Sequence, residues 1–124
     1  MKITAVLVVD SIETSLSFWT GRMGFEKIAE VPEGDRLGFV MLMQNGTELM
    51  LQSADSVRKD VPQFAPVLSG PASLFIEVDN FEDTLKRLSG YPIAMPERTT
   101  FYGMREIGVR EPGGHIVIFA ARVA

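Results

Sequence analysis

The chain of 124 residues contains no cysteine, which excludes a disulfide framework, a thiolate nucleophile, an iron–sulfur cluster and any cysteine-based zinc site. Histidine is nearly as scarce, His115 being the only one. No apolar run approaches the roughly 20 residues that span a bilayer, and no basic region, apolar stretch and small-residue cleavage site follow one another at the start. A cytoplasmic protein with no membrane partner is expected. Lys and Arg are scattered singly in a chain of net charge −4, which argues against nucleic acid, a ligand that rewards a basic stripe. There is no P-loop, dinucleotide glycine fingerprint or G-x-S-x-G elbow. What is present, 46% hydrophobic and 23% charged residues, is the balance of a globular protein with a real core, at a length that fits one domain.

The chain repeats itself. Thr4–Leu16 reads TAVLVVDSIETSL and Ser73–Leu85 reads SLFIEVDNFEDTL, and the two align without a gap. In each copy an apolar, partly β-branched run ends in Asp, and Asp10–Glu13 and Asp79–Glu82 each supply a D-x-x-E helix start. Ile12, Leu16, Trp19 and Met23 then recur at helical spacing, as do Phe81, Leu85 and Leu88. Gly21 and Gly24 end the first helix and Gly90 the second. Three strands are expected after each helix: about Phe25–Val31, Leu37–Met43 and Thr47–Ser53, then about Pro92–Glu97, Tyr102–Arg110 and His115–Arg122. Turn formers at Pro32–Asp35, Asn45-Gly46 and Pro112–Gly114 separate them.

The expected fold is therefore α+β, with two βαβββ modules forming curved mixed sheets around a cavity and helices on the outer face. AVLVV, FVMLM and IVIFAA are apolar at nearly every position, as strands covered on both faces are. The modules span about 1–53 and 71–124 of a single domain. The connector between them, 54–70, carries Pro62 and Pro66, lacks a sustained period, has room for one short helical turn, and is expected to be mobile.

Two βαβββ modules of this length resemble the vicinal oxygen chelate superfamily, which includes glyoxalase I, extradiol dioxygenases, fosfomycin-resistance enzymes and bleomycin-resistance proteins. The resemblance covers nearly the whole chain. Phe18–Phe25 (FWTGRMGF) is similar to the F-W-T-x-R-L-G-F of the bleomycin-resistance branch, and Tyr102–Ile107 (YGMREI) running to Glu111–Gly114 (EPGG) is similar to its W-G-x-R-E-F and D-P-x-G. Metalloenzymes of the superfamily place ligands on the first and last strand of each module. Carried over by the repeat, those positions are Thr4, Met50, Ser73 and Ile118. A thioether, a hydrocarbon and two neutral hydroxyls make a poor set for a divalent metal, so no metal and no cofactor are expected, and metal-dependent glyoxalase, dioxygenase, epimerase and fosfomycin-modifying chemistry are disfavoured. The resemblance also implies a homodimer that holds its ligand in grooves at the subunit interface.

Strand alternation puts Glu48 on the face of Met50 and Glu77 on the face of Ser73, where two carboxylates would bind a cationic group or serve as acid and base. The alternative places them at strand ends in solvent or paired with Arg105 or Arg110, and a one-residue slip in register exchanges the two readings. Glu106, inside the R-E motif, is a cavity carboxylate if the resemblance holds and a strand ion pair otherwise. Phe39, Met41 and Met43 share one face, with Val40 and Leu42 on the other. Together with Met50 and Phe75 they suit an adaptable apolar pocket for a flat ligand, with core packing as the plainer reading. Phe101 and Tyr102, before a glycine, would rim a pocket mouth. Trp19 is read as core. His115, after a tight turn, is expected to be structural and solvent-exposed rather than a general base.

The leading expectation is a metal-free small-molecule binding protein, with sequestration of a cationic or planar antibiotic as the use the resemblance implies. Two alternatives stand beside it: a cofactor-free isomerase or lyase using Glu48, Glu77 or Glu106 as base, and an interaction module whose cavity is filled by its own side chains.

Overall fold

Each copy of the repeat folds as a strand followed by a helix: β1 (Ala5–Val9) and α1 (Ile12–Trp19), then β5 (Ser73–Glu77) and α3 (Phe81–Arg87). The structure is a computed structural model that describes residues 1–68 and 70–123. Both helices start one residue later than the D-x-x-E pattern implies. Ser11 Oγ accepts the Thr14 N–H at 3.2 Å, and Asn80 Oδ1 accepts the Asp83 N–H at 3.0 Å. Ser and Asn serve as N-caps as well as Asp does, so the aspartates remain outside. Glu13 is thereby freed to reach across, its Oε2 accepting the Leu37 N–H at 2.8 Å. That backbone bond, more than any other cause, holds the Glu13 carboxyl below the usual carboxylate range.

Three strands follow each helix. In the first half they are β2 (Glu26–Glu33), β3 (Arg36–Gln44) and β4 (Thr47–Ser53); in the second, β6 (Met95–Thr99), β7 (Met104–Arg110) and β8 (Ile116–Arg122). The sheets are ordered β1-β4-β3-β2 and β5-β8-β7-β6. In each, the first strand runs parallel to the last and the other pairings are antiparallel. Two open mixed sheets with helices are the α+β arrangement of two βαβββ modules.

The chain divides into two compact units between Gly70 and Pro71. In the first, Leu7, Val9, Val40, Leu42, Leu49 and Leu51 point to one side of the sheet and are buried with Ile12, Phe18 and Trp19 of α1. The segment after β4 is more structured than a connector with one turn. Ser53 caps α2 (Ala54–Asp60), whose Ala54 and Val57 are buried, and a 3-10 turn follows at Pro62–Val67. Gly38 lets α2 approach: a Cβ there would stand 2.8 Å from Glu33 Cβ and 3.4 Å from Ser56 Cβ. A helix of two turns with one buried pair carries too little period to be read ahead. In the second unit Leu74, Ile76, Ile107, Val109, Val117 and Phe119 lie on the side of α3, with Phe81 and Leu88 buried there.

Three strands differ from expectation by two residues or more at a limit. β2 runs through Pro32 because it is an edge strand with a register break at Val31/Pro32, the setting in which a sheet tolerates proline. β6 starts only at Met95, the chain still turning at Tyr91, whose N–H bonds to the Leu88 carbonyl. β7 starts at Met104 rather than Tyr102. Gly103, at φ +81°, donates its N–H to the Thr100 carbonyl and makes residues 100–103 a turn, overriding the strand propensity of tyrosine.

Ser15 is fully buried on α1, and its hydroxyl has no hydrogen-bond partner among the described residues. An unpaired buried hydroxyl forfeits its hydration without return. Ser15→Ala is therefore expected to raise stability by about 1 kcal/mol, read as a higher midpoint in thermal or urea unfolding. Among the described residues no helix is long and apolar enough to cross a membrane.

Candidate functional site on the open faces of the sheets

In the central strands of unit 1 side chains alternate between a face buried under a helix and an open face, whereas in unit 2 the face away from α3 is open at its edges and buried at Glu106, Gly108 and Ala120. In unit 1 the open face carries Phe39, Met41 and Met43 of β3 and Glu48, Met50 and Gln52 of β4, all half-buried, while their neighbours Val40, Leu42, Leu49 and Leu51 are buried beneath α1. Register sets the rows across it: Val6–Met50–Met41–Ala29 and Val8–Gln52–Phe39–Val31, then Glu48–Met43–Glu26. Val6 and Val31 are about half exposed, at 47% and 54%. The five expected residues of this unit thus fall together on one surface, three of them thioethers. Glu48 lies on it as alternation requires, and its carboxylate is taken up by Lys2 at 2.6 Å rather than by an arginine.

In unit 2 the open-face rows are Phe75–Ile118–Gly108–Met95 and Glu77–Ala120–Glu106–Arg98. Phe75 and Glu77 are exposed, and no described residue forms an ion pair with Glu77. Arg105 points the other way, stacking over the Phe81 ring at 4.5 Å and bonding Glu82 and Glu97 at 2.7 Å. Glu106 combines both of its expected roles. Only 1% accessible, it stands on the open-face side, accepting from Arg98 Nε at 3.2 Å and Nη2 at 3.0 Å and from the Tyr102 hydroxyl at 2.6 Å. A buried carboxylate needs such charge-assisted donors.

The bond to Glu106, first among its causes, pushes the Tyr102 phenol above its ordinary value of 10, since ionising it would lose the donor and set two anions side by side. Whatever stability this bond contributes is present below the ordinary phenol range and is lost as pH rises through the raised folded value. In an alkaline absorbance titration Tyr102 should ionise late, and Glu106→Gln should return it toward the normal range. Tyr91, the other tyrosine, donates to the Arg110 carbonyl; a Tyr91→Phe background isolates the signal. Phe101 is fully exposed beside Tyr102, the rings edge to face at 5.1 Å.

His115 is not exposed: it is 6% accessible, and its Nδ1 accepts the Ala72 N–H at 2.9 Å. Its own N–H bonds to the buried carboxylate of Glu111 at 3.2 Å. The turn before it is tight enough to fold the imidazole back against the segment entering β5. The ring is structural, and sequence spacing across 43 residues held no sign of that partner.

The Glyoxalase/Bleomycin resistance protein/Dioxygenase superfamily model matches residues 3–119, and the chain belongs to that superfamily. Several solved structures share the fold. A glyoxalase/bleomycin resistance protein/dioxygenase from Nocardioides is 23% identical, with TM-score 0.75 over 99% of this chain and 84% of its own. The bleomycin-binding protein from bleomycin-producing Streptomyces verticillus, complexed with copper(II)-bleomycin, is 24% identical, with TM-score 0.67 over 98% and 95%. A lactoylglutathione lyase from Agrobacterium tumefaciens is 15% identical, with TM-score 0.76 over 98% and 92%. None of the curated proteins matches.

The metal positions of the superfamily do not fit a divalent ion here. Val6 pairs with Met50 and Phe75 with Ile118, which makes Met50 and Ile118 equivalent, and Thr4 and Ser73 lie two residues before those partners on the same faces. Ile118 has no donor atom, and hydroxyls and a thioether bind hard or borderline divalent ions weakly. Among the described residues no group of three or more His, Asp or Glu is placed to hold a metal ion.

Proposed function

We propose that this chain binds a small organic ligand without a divalent metal, using the open faces of its sheets, and acts by sequestration, as a homodimer. The observation that carries the reading is the half-buried field of Phe39, Met41, Met43 and Met50 on the face of unit 1 opposite α1. Soluble proteins seldom leave such a field without a use, and flexible thioethers beside an aromatic ring adapt to flat ligands. Glu77 in unit 2, exposed and without an ion pair among the described residues, would draw a cationic group. The bleomycin-binding relative supports this class of ligand. A carboxylate base is the weaker reading: Glu48 is engaged by Lys2, and Glu106 by Arg98 and Tyr102.

Thermal unfolding against a panel tests it: Zn²⁺, Ni²⁺ and Mn²⁺, bleomycin with and without copper, planar cationic antibiotics, and carbonyl metabolites. A ligand that binds only the native state adds about 2.7 kcal/mol at a hundredfold excess over its Kd. The expected result is a raised midpoint with a planar or cationic drug and none with the divalent ions. A specific shift with Zn²⁺, Ni²⁺ or Mn²⁺ would overturn the reading.

A further inference from the structure

We propose that Met41, Met43 and Met50 form a binding site for a soft monovalent cation, Cu(I), on the open face of unit 1. The site shares these methionines with the organic-ligand reading but does not require that reading to hold. Met41 and Met50 are direct cross-strand partners, and Met43, paired with Glu48, is diagonal to Met50 and two residues along from Met41. Directly opposed side chains have Cβ atoms about 4.5–5.5 Å apart and diagonal ones about 7–8 Å, and residues two apart on a strand stand about 7 Å apart. The three Cβ atoms therefore form a small triangle on one face. Each supports an unbranched side chain with enough rotatable bonds to bring its sulfur over the centre.

Clustering and burial together separate these methionines from the others, Met95 being half-buried too but alone in unit 2. Met23 and Met104 are buried in the cores, whereas Met41, Met43 and Met50 are half-buried and open to an ion from solvent. Three neutral thioethers suit Cu(I) and its analogue Ag(I) and reject harder cations. Glu48, beside Met43 in its row, is paired with Lys2, which leaves the field close to neutral. Rival soft donors are few: the chain has no cysteine, and Nδ1 of its one histidine already accepts a backbone N–H. The second unit serves as an internal comparison. Its register equivalents of Met41, Met43 and Met50 are Gly108, Arg110 and Ile118, which offer no soft donor. One ion per chain is the stoichiometry this implies.

The test is anaerobic competition for Cu(I) against its coloured bicinchoninate complex, with the whole chain. One equivalent should be withdrawn. Met41→Leu and Met50→Leu, which conserve volume and so spare the fold, should each weaken binding at least tenfold, Met43→Leu should weaken it too, and Met95→Leu in unit 2 should leave it unchanged. Ag(I) should raise the melting midpoint of the native chain and not of the Met41→Leu/Met50→Leu double variant, a readout that holds even if one single variant is unstable. X-ray absorption of the loaded protein should show a shell of sulfur. No withdrawal of Cu(I), equal withdrawal by the native chain and the double variant, or a shell of nitrogen and oxygen would each overturn the site.

Discussion

Trp19→Ala is expected to destabilise unit 1 by about 3–5 kcal/mol, the cost of emptying a large buried aromatic site. The indole is wholly inaccessible and is held edge to face by Phe18 at 5.1 Å and by Phe25 at 5.4 Å. It lies at the end of α1, where the helix turns back through Phe25 into β2; the Phe25 N–H bonds to the Trp19 carbonyl. Alanine would remove transfer energy and leave a cavity that two rings clamped in place collapse into poorly. Against a typical total of about 5–15 kcal/mol, that loss threatens folding itself, and the midpoint should fall by roughly 10–20 °C by circular dichroism. Trp19→Phe, which refills part of the site, should lose less than half as much. Equal losses for both substitutions would show that the indole is not a packing centre.

The same residues show why part of the molecule was legible in its sequence. Ile12, Trp19 and Met23 of the expected helical stripe are buried, with Leu16 only half so and Phe18 added beside them, and the repeat foretold the strand, helix and three strands of each module, while the parallel pairing of the first strand with the last was not in it. The open faces were legible for a similar reason: period-2 alternation places Phe39, Met41, Met43, Glu48 and Met50 together once β3 and β4 pair antiparallel. What escaped depends on contacts distant in sequence or on single backbone angles. The His115–Ala72 bond joins residues with no shared pattern. Arg98, which completes the Glu106 pair, sits on a polar edge strand where every neighbour is exposed and no period singles it out. Gly103 shortens β7 through one left-handed φ, a property of glycine that outweighs the strand preference of the tyrosine before it.

The pair of Arg98 and Glu106 carries an asymmetric prediction. Arg98→Met should cost about 2 kcal/mol, below the 3–5 kcal/mol of a fully buried pair because the guanidinium is 55% exposed and its charge is screened. The cost arises on the other side: Glu106, 1% accessible, stays buried while losing two of its three donors. Glu106→Leu should be cheaper, because it removes the buried charge and leaves Arg98 and Tyr102 free to turn to water. The double variant should then match Glu106→Leu alone, Arg98 having no remaining role once its partner is gone. A double-mutant cycle in urea measures this coupling, and additive losses would show that the two side chains act separately. Glu106 is thus a group the fold tolerates only through its partners, and Arg98, on the edge of the open face, decides whether it is tolerated.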